Sequence, residues 1–331
     1  MMNRFNFAFF SCGAALCATL CGCSKHQNTT TGSAPVSTDS TSGPVEMKLK
    51  WTVGKAYDEK MSIKRTTQLN LPGMSKPENQ DFVADEDFTI SVLKSLPDGG
   101  TELGMEFTGQ KLSIKQGSRV QLDFDSSRDP QDDKRNAVSP LLRKIIGSRL
   151  KVELDSDGKA TDVVGYSDLI SQISGGKPQI EATLKQLVDK EALKQMVMRG
   201  QGLPPGPVKI GDHWPVHLEM ETTSVGTLVL DMKYNFRGWQ EHEGHRCAVM
   251  EFVGDISSKA GTSSDSNGAQ VSIDKGTMDG TTWYDPESSM IVENASTEDM
   301  AIKIALNGKN YLCPTKQSMS FKIVQAGDIA Q

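Results

Sequence analysis

The chain has 331 residues, six cysteines, five histidines and a formal net charge of −6, from 36 basic and 42 acidic side chains. A mildly acidic chain with scattered lysines argues against nucleic acid as a partner, because phosphate binding needs a basic face. So few histidines leave little material for a metal or acid–base centre built on imidazole.

Arg4 supplies a positive n-region, and residues 5–20 are apolar apart from Asn6, Ser11 and Thr19. That stretch is shorter than the roughly 20 residues of a membrane-spanning helix. It suits a cleavable apolar region of about 7–15 residues. The stretch ends in Leu20-Cys21-Gly22-Cys23. Small Gly22 precedes Cys23, whereas leucines precede Cys21 and Cys17, and Cys12 has almost no apolar region before it. The pattern predicts a lipoprotein signal peptide over residues 1–22, cleavage after Gly22 and lipidation of Cys23. The plainer alternatives are an ordinary signal peptide with incidental cysteines, or a retained anchor. Lipidation places the chain in the bacterial cell envelope, with the membrane as partner through acyl chains on Cys23. Ser24, where an aspartate would favour retention, points to the outer membrane.

Residues 23–44 are rich in Ser, Thr, Gly and Pro and have almost nothing to bury, so they read as a lipidated tether. A flexible tether of this length reaches roughly 25 Å. With the leader removed and Cys23 acylated, Cys247 and Cys313 remain. In an oxidising compartment such a pair is either a disulfide or two buried thiols.

From Val45 the apolar residues alternate. Met47, Leu49, Trp51 and Val53 form the first such run. Runs through Phe88–Val92, Leu103–Phe107, Val120–Phe124 and Leu150–Leu154 follow, and later ones through Trp214–Met220, Ala248–Phe252, Ile302–Leu306 and Met319–Ile323. Period two means strands with one buried face. Pro97-Asp98-Gly99-Gly100, Asp155-Ser156-Asp157-Gly158, Glu243-Gly244 and Asn307-Gly308 supply turn residues that tolerate positive φ.

The chain echoes itself. Val53-Gly54-Lys55-Ala56-Tyr57 matches Ile210-Gly211-Asp212-His213-Trp214, and Met105-Glu106-Phe107-Thr108-Gly109 matches Met250-Glu251-Phe252-Val253-Gly254. Between the halves the period becomes helical over 139–146, 166–173 and, most clearly, 179–198. Pro178 and Gly200 bracket the last of these. The fold class expected is mainly β (a β-rich α+β chain), with two similar antiparallel β halves and a few helices inserted between them. The sheets would make a half-barrel or a two-sheet body. The expected organisation is a first half over 45–165, a helical connector over 166–207 and a second half over 208–331, with 45–331 one folded unit. A body of about 285 residues is long enough to bury a sizeable core.

The search for chemistry ends without a centre. His213 and His217 lie four apart on a strand, roughly 13 Å, too far to share a metal. His242, His245, Glu241 and Glu243 flank a hairpin tip, and a solvated turn is the plainer reading than a divalent-ion site. Asp123, Asp125, Asp129, Asp132 and Asp133 crowd one loop among basic residues, as on a solvated face. Asp155 and Asp157 give half of a calcium pattern and then stop. No serine elbow and no phosphate-cradling loop is present. The expectation is no catalytic residue, no metal and no cofactor.

The order Val53-Gly54-Lys55-Ala56-Tyr57, Phe124-Asp125-Ser126, Gly147-Ser148-Arg149-Leu150, Asp157-Gly158-Lys159, Val163-Val164-Gly165 and Gly211-Asp212-His213-Trp214 resembles a bacterial family common in lipoproteins. It is the domain-of-unknown-function family six-two-six-three. The resemblance runs from about Val45 to Val324, with Phe124 where that family more often has tyrosine. It implies the architecture and brings no catalytic residues. The function expected is non-enzymatic binding of a lipid or other hydrophobic ligand by a lipid-anchored envelope protein. The rivals are an envelope scaffold that docks a protein partner, and a hydrolase with a dispersed carboxylate site.

Overall fold

The computed structural model describes residues 43–222, 225–259 and 270–329, with the side chains of Lys134 and Arg135 excepted. The predicted signal peptide, Gly22, Cys23 and the tether up to residue 42 lie outside the described residues.

Among the described residues twelve strands form one antiparallel sheet. The first half supplies β1 (Lys55–Leu69), β2 (Glu78–Ser95), β3 (Thr101–Gln116), β4 (Arg119–Asp125), β5 (Arg149–Leu154) and β6 (Ala160–Val164). The second supplies β7 (His213–Thr222), β8 (Gly226–His242), β9 (His245–Lys259), β10 (Gln270–Asp285), β11 (Met290–Leu306) and β12 (Lys309–Asp328). The strand order is β6-β5-β3-β2-β1-β12-β11-β10-β9-β8-β7, with β4 paired to β3 off this path. Each half is a meander, and the two meet where β1 pairs with β12. Both therefore advance across the sheet in the same direction, as a repeated unit would.

The echo in the sequence is an echo in hydrogen bonding. Gly54 (φ +86°) donates its N–H to Val92 O at 2.9 Å, and Gly211 (φ +93°) donates to Phe236 O at 2.8 Å. Each glycine makes the left-handed turn that swings the chain into the first strand of its half and ties it to the second strand. In the third strands, Met105, Glu106 and Phe107 face Ile90, Thr89 and Phe88, while Met250, Glu251 and Phe252 face Phe236, Asn235 and Tyr234.

Within the first half, α1 (Ser139–Ile145) links β4 to β5; between the halves lie α2 (Tyr166–Ser174), α3 (Pro178–Leu187) and α4 (Lys190–Val197), followed by a 3₁₀ turn at Arg199–Gly202. The single helix expected over 179–198 is two helices. The break falls at Val188-Asp189. The Asp189 carboxylate accepts from the N–H groups of Glu191 and Ala192 and caps α4, while Tyr166 Oη donates to Val188 O at 2.7 Å. An aspartate that can cap competes with helix continuation.

The strand expected over Met47–Val53 is likewise not one. Val45 makes an isolated bridge to Val208; beyond it, Lys48 exchanges hydrogen bonds with Tyr284 Oη and Lys50 N–H donates to Ser289 O. The alternation is real, since Met47 is buried and Leu49 and Trp51 pack on the core. The backbone groups of this segment are satisfied by a phenol and a turn instead of a neighbouring strand.

The sheet curls strongly. Phe88 on β2 and Leu218 on β7 line the same cavity, yet seven strand spacings separate β2 from β7, roughly 34 Å if the sheet were flat. Helix α4 packs against both end strands, β6 and β7. Lys190 Nζ meets Asp162 Oδ1 on β6 at 2.6 Å, and Trp214 Nε1 on β7 donates to Gly202 O at 3.1 Å. The result is a half-barrel whose open side is covered by the helical connector.

Candidate functional site

The inward face of the curled sheet and the overlying α4 with its 3₁₀ turn enclose a partly open cavity of about 120 Å³. Seven methionines line it: Met61, Met196, Met198, Met220, Met232, Met278 and Met319. Phe88, Leu218, Leu230, Ile291 and Phe321 complete its apolar wall. Tyr234 forms part of the floor within an aromatic ladder across β7, β8 and β9, stacked on Trp214 at 5.8 Å and on Phe252 at 4.8 Å. The 3₁₀ turn can lie on that ring only because residue 202 is glycine, since a Cβ there would stand 2.5 Å from Tyr234 Oη.

Besides Tyr234, the polar side chains at this cavity are Arg199, Asn294, Gln195 and Gln201. Arg199 forks onto Glu59 through both terminal nitrogens, with side-chain exposures of 7% and 0%. Its Nε donates to Met196 O at 2.9 Å, and its guanidinium lies over the Phe321 ring at 3.7 Å. Burial pushes the Glu59 carboxyl up, and the Arg199 charge opposes that rise. Asn294 Nδ2 donates to Thr282 Oγ1 at 2.8 Å, while its buried Oδ1 has no partner.

Farther along β11 on the same face, Glu298 accepts from Gln317 Nε2 at 2.6 Å and Ser296 Oγ at 3.1 Å. Burial pushes its carboxyl up to about 8, so it is largely neutral near pH 7.

A second cavity of about 70 Å³ lies under α3 and the start of α4. Phe82, Leu112, Leu142, Leu187 and Leu193 line it, together with Met61 and Met196. Glu86 stands at its wall, accepts from Gln110 Nε2 at 3.1 Å and is pushed up by burial.

The residues singled out in the sequence lie elsewhere. Gly22 and Cys23 are outside the described residues. Cys247 and Cys313 are buried free thiols, so the second of the two sequence readings holds and the disulfide is corrected. They sit on β9 and β12 with β10 and β11 between them, roughly 14 Å of lateral spacing against a Cα limit of about 7 Å. Burial pushes the Cys247 thiol up to about 12 and Cys313 in the same direction.

His217 is exposed and pairs with Asp231 at 2.7 Å and Glu219 at 3.3 Å. His242 stacks on Trp283 and pairs with Glu293 at 2.9 Å, while His245 approaches Asp285 at 3.4 Å. Among the described residues no group of three or more His, Cys, Asp or Glu side chains is arranged to hold a metal ion. Asp125 accepts from Ser127 and lies near Arg128 and Lys111, and Arg143 pairs with Asp133 and donates to the carbonyls of Asp125 and Ser126. These contacts tie down a loop. Asp155 accepts from the N–H groups of Asp157 and Lys159 in a turn.

The sequence points to a hydrophobic ligand but not to the residues that line the methionine-lined cavity. Its lining comes from seven strands and the connector, one to three residues from each strand, and the one available signal was the scatter of methionines on alternating runs.

The model of the Family of unknown function (DUF6263) matches residues 98–291, more than half of the sequence. The chain belongs to this family. The span matched to DUF6263 holds the whole helical connector and the cavity residues Met196, Arg199, Met220, Met232 and Met278, and stops before Asn294. Among curated proteins none matches.

Three solved structures show likeness at low scores. One, titled "Lipid-protein interactions in lipovitellin", has a TM-score of 0.45 and 9% identity over 85% of this chain and 26% of that one. The chain thus spans about a quarter of the lipovitellin chain. DynF from the dynemicin biosynthesis pathway of Micromonospora chersina has a TM-score of 0.19 and 8% identity over 91% and 95% of the two chains. A DUF1329 family protein from Desulfovibrio piger has a TM-score of 0.11 and 8% identity over 83% and 87%. The reading of the site rests on its own residues.

Proposed function

We propose that this DUF6263 chain is a lipid-anchored protein of the bacterial cell envelope, held to the outer membrane through Cys23, whose body binds a hydrophobic ligand between the curled sheet and the helical connector. The observation that carries the binding reading is the concentration of seven methionines around one partly open cavity. Methionine is unbranched and polarisable, so a wall of methionines adapts to differing apolar guests. An apolar cavity with a few fixed polar groups is the usual form of a small-molecule site. The anchor rests on the Leu20-Cys21-Gly22-Cys23 sequence alone.

Binding of phenylnaphthylamine, a neutral dye that fluoresces in apolar surroundings, tests the first part. The purified full chain should enhance its emission. Leu218→Trp, on the end strand β7 at the cavity wall, should weaken binding about tenfold without lowering the melting temperature. No enhancement by the unaltered chain would overturn the binding reading. Metabolic labelling with palmitate tests the anchor: label should enter the unaltered chain and be lost in Cys23→Ser. Label that persists in that variant would overturn it.

A further inference from the structure

Met61 and Met196 line both cavities, and among the described residues no other methionine does. We infer that the two cavities are chambers of one channel for a single unbranched aliphatic chain with a neutral hydroxyl-bearing head, and that Met61 and Met196 stand between the chambers as a movable partition. This rests on the hydrophobic-ligand reading above and adds the ligand's class.

Volume sets the first limit. The chambers measure about 120 Å³ and 70 Å³, against the roughly 150 Å³ of an apolar cavity that takes one benzene. Neither holds a two-chain lipid, and of a long single chain the two together hold a part, the remainder lying in the open mouth of the larger chamber. A single alkyl chain is narrow enough to thread both once two unbranched side chains change rotamer, and methionine is the most freely rotating of the apolar side chains. Met196 is half-buried on the short helix α4, so its displacement moves no strand.

Charge and hydrogen bonding set the second limit. Arg199 is the cation at the larger chamber, and Glu59 already neutralises it through a two-point contact. A carboxylate or phosphate head would meet no net positive charge. Asn294, 7% exposed, lines the same chamber with Oδ1 unpartnered while Nδ2 is engaged by Thr282. A buried amide oxygen without a donor costs about 1–3 kcal/mol. A ligand hydroxyl supplies the missing donor, and because it can also accept, it suits the Asn294 amide in either orientation.

The test is displacement of phenylnaphthylamine from the full chain by octanol, hexadecanol, octane and the anion of hexadecanoic acid. In the unaltered chain hexadecanol should displace better than octanol, octanol better than octane, and the anion poorly. Met196→Trp should weaken hexadecanol about tenfold and leave octanol within about twofold. Met61→Ala, which widens the passage, should preserve hexadecanol. Asn294→Leu should erase the preference of octanol over octane. If the dye binds but hexadecanol and octanol respond alike to Met196→Trp, the shared channel is overturned while the hydrophobic-ligand reading stands. If the anion competes best, the neutral head is overturned. If the dye does not bind, the underlying reading itself fails.

Discussion

Arg199 and Glu59 are 140 positions apart in sequence and nearly solvent-free in the fold. A buried ion pair adds little net stability, but one partner stranded alone is costly. Arg199→Leu should therefore lower unfolding free energy by about 3–5 kcal/mol, and adding Glu59→Leu should recover much of that loss. Urea denaturation of the two single variants and the double variant checks it; additive losses would contradict the pairing. Glu298 gives a second test at this scale. Its folded carboxyl titrates at about 8 against an ordinary value of 4.5. Between those values the folded state holds a proton that the unfolded chain has released, so stability falls as pH rises through that window. The Glu298→Gln variant should melt at a temperature that depends less on pH from 4.5 to 8, and it should gain most, relative to the unaltered chain, at the alkaline end.

The connector is short helices held by specific ends. The Asp189 cap starts α4 and thereby sets where Met196 and Arg199 stand over the sheet. Asp189→Ala should cost about 1 kcal/mol in thermal unfolding and also weaken dye binding, because the cap and the cavity roof are the same element. Gly202 closes the roof against Tyr234. Gly202→Val should push the 3₁₀ turn off that ring and cost about 1–3 kcal/mol, measured by the same melts.

Much at this scale was legible in the sequence. Glu243-Gly244 and Asn307-Gly308 turn with positive φ at both positions, as their dipeptides require. The apolar alternations at Phe88–Val92, Ala248–Phe252 and Ile302–Leu306 lie on strands with those residues inward. What was hidden has a common cause. The inward face of β1 carries Glu59, Arg65 and Thr67 between Met61, Ile63 and Leu69. Buried polar residues interrupt the alternation, and the partners of Glu59 and Thr67, which are Arg199 and Thr315, lie far along the chain. The break at Asp189 was obscured because the helical apolar spacing continues across it.

For the whole molecule, the decisive contact is between its ends: β1 pairs with β12 over register Lys55↔Asp328 to Thr67↔Thr315. That pairing joins two meanders into one curled sheet and brings β6 and β7, its outer strands, to the same helix. No local signal encodes it, since it depends on two strands separated by almost the full body. The cavity follows from the same closure, because its wall draws on both halves.

The central claim is that this closure leaves a site for an aliphatic guest. Native mass spectrometry of the full chain, extracted from membranes and then stripped of detergent in the gas phase, tests it most directly. The account predicts an adduct of a single-chain aliphatic molecule beyond the acyl groups proposed on Cys23, diminished in Leu218→Trp. A bare chain in every preparation, or an adduct of unchanged abundance in that variant, would contradict it.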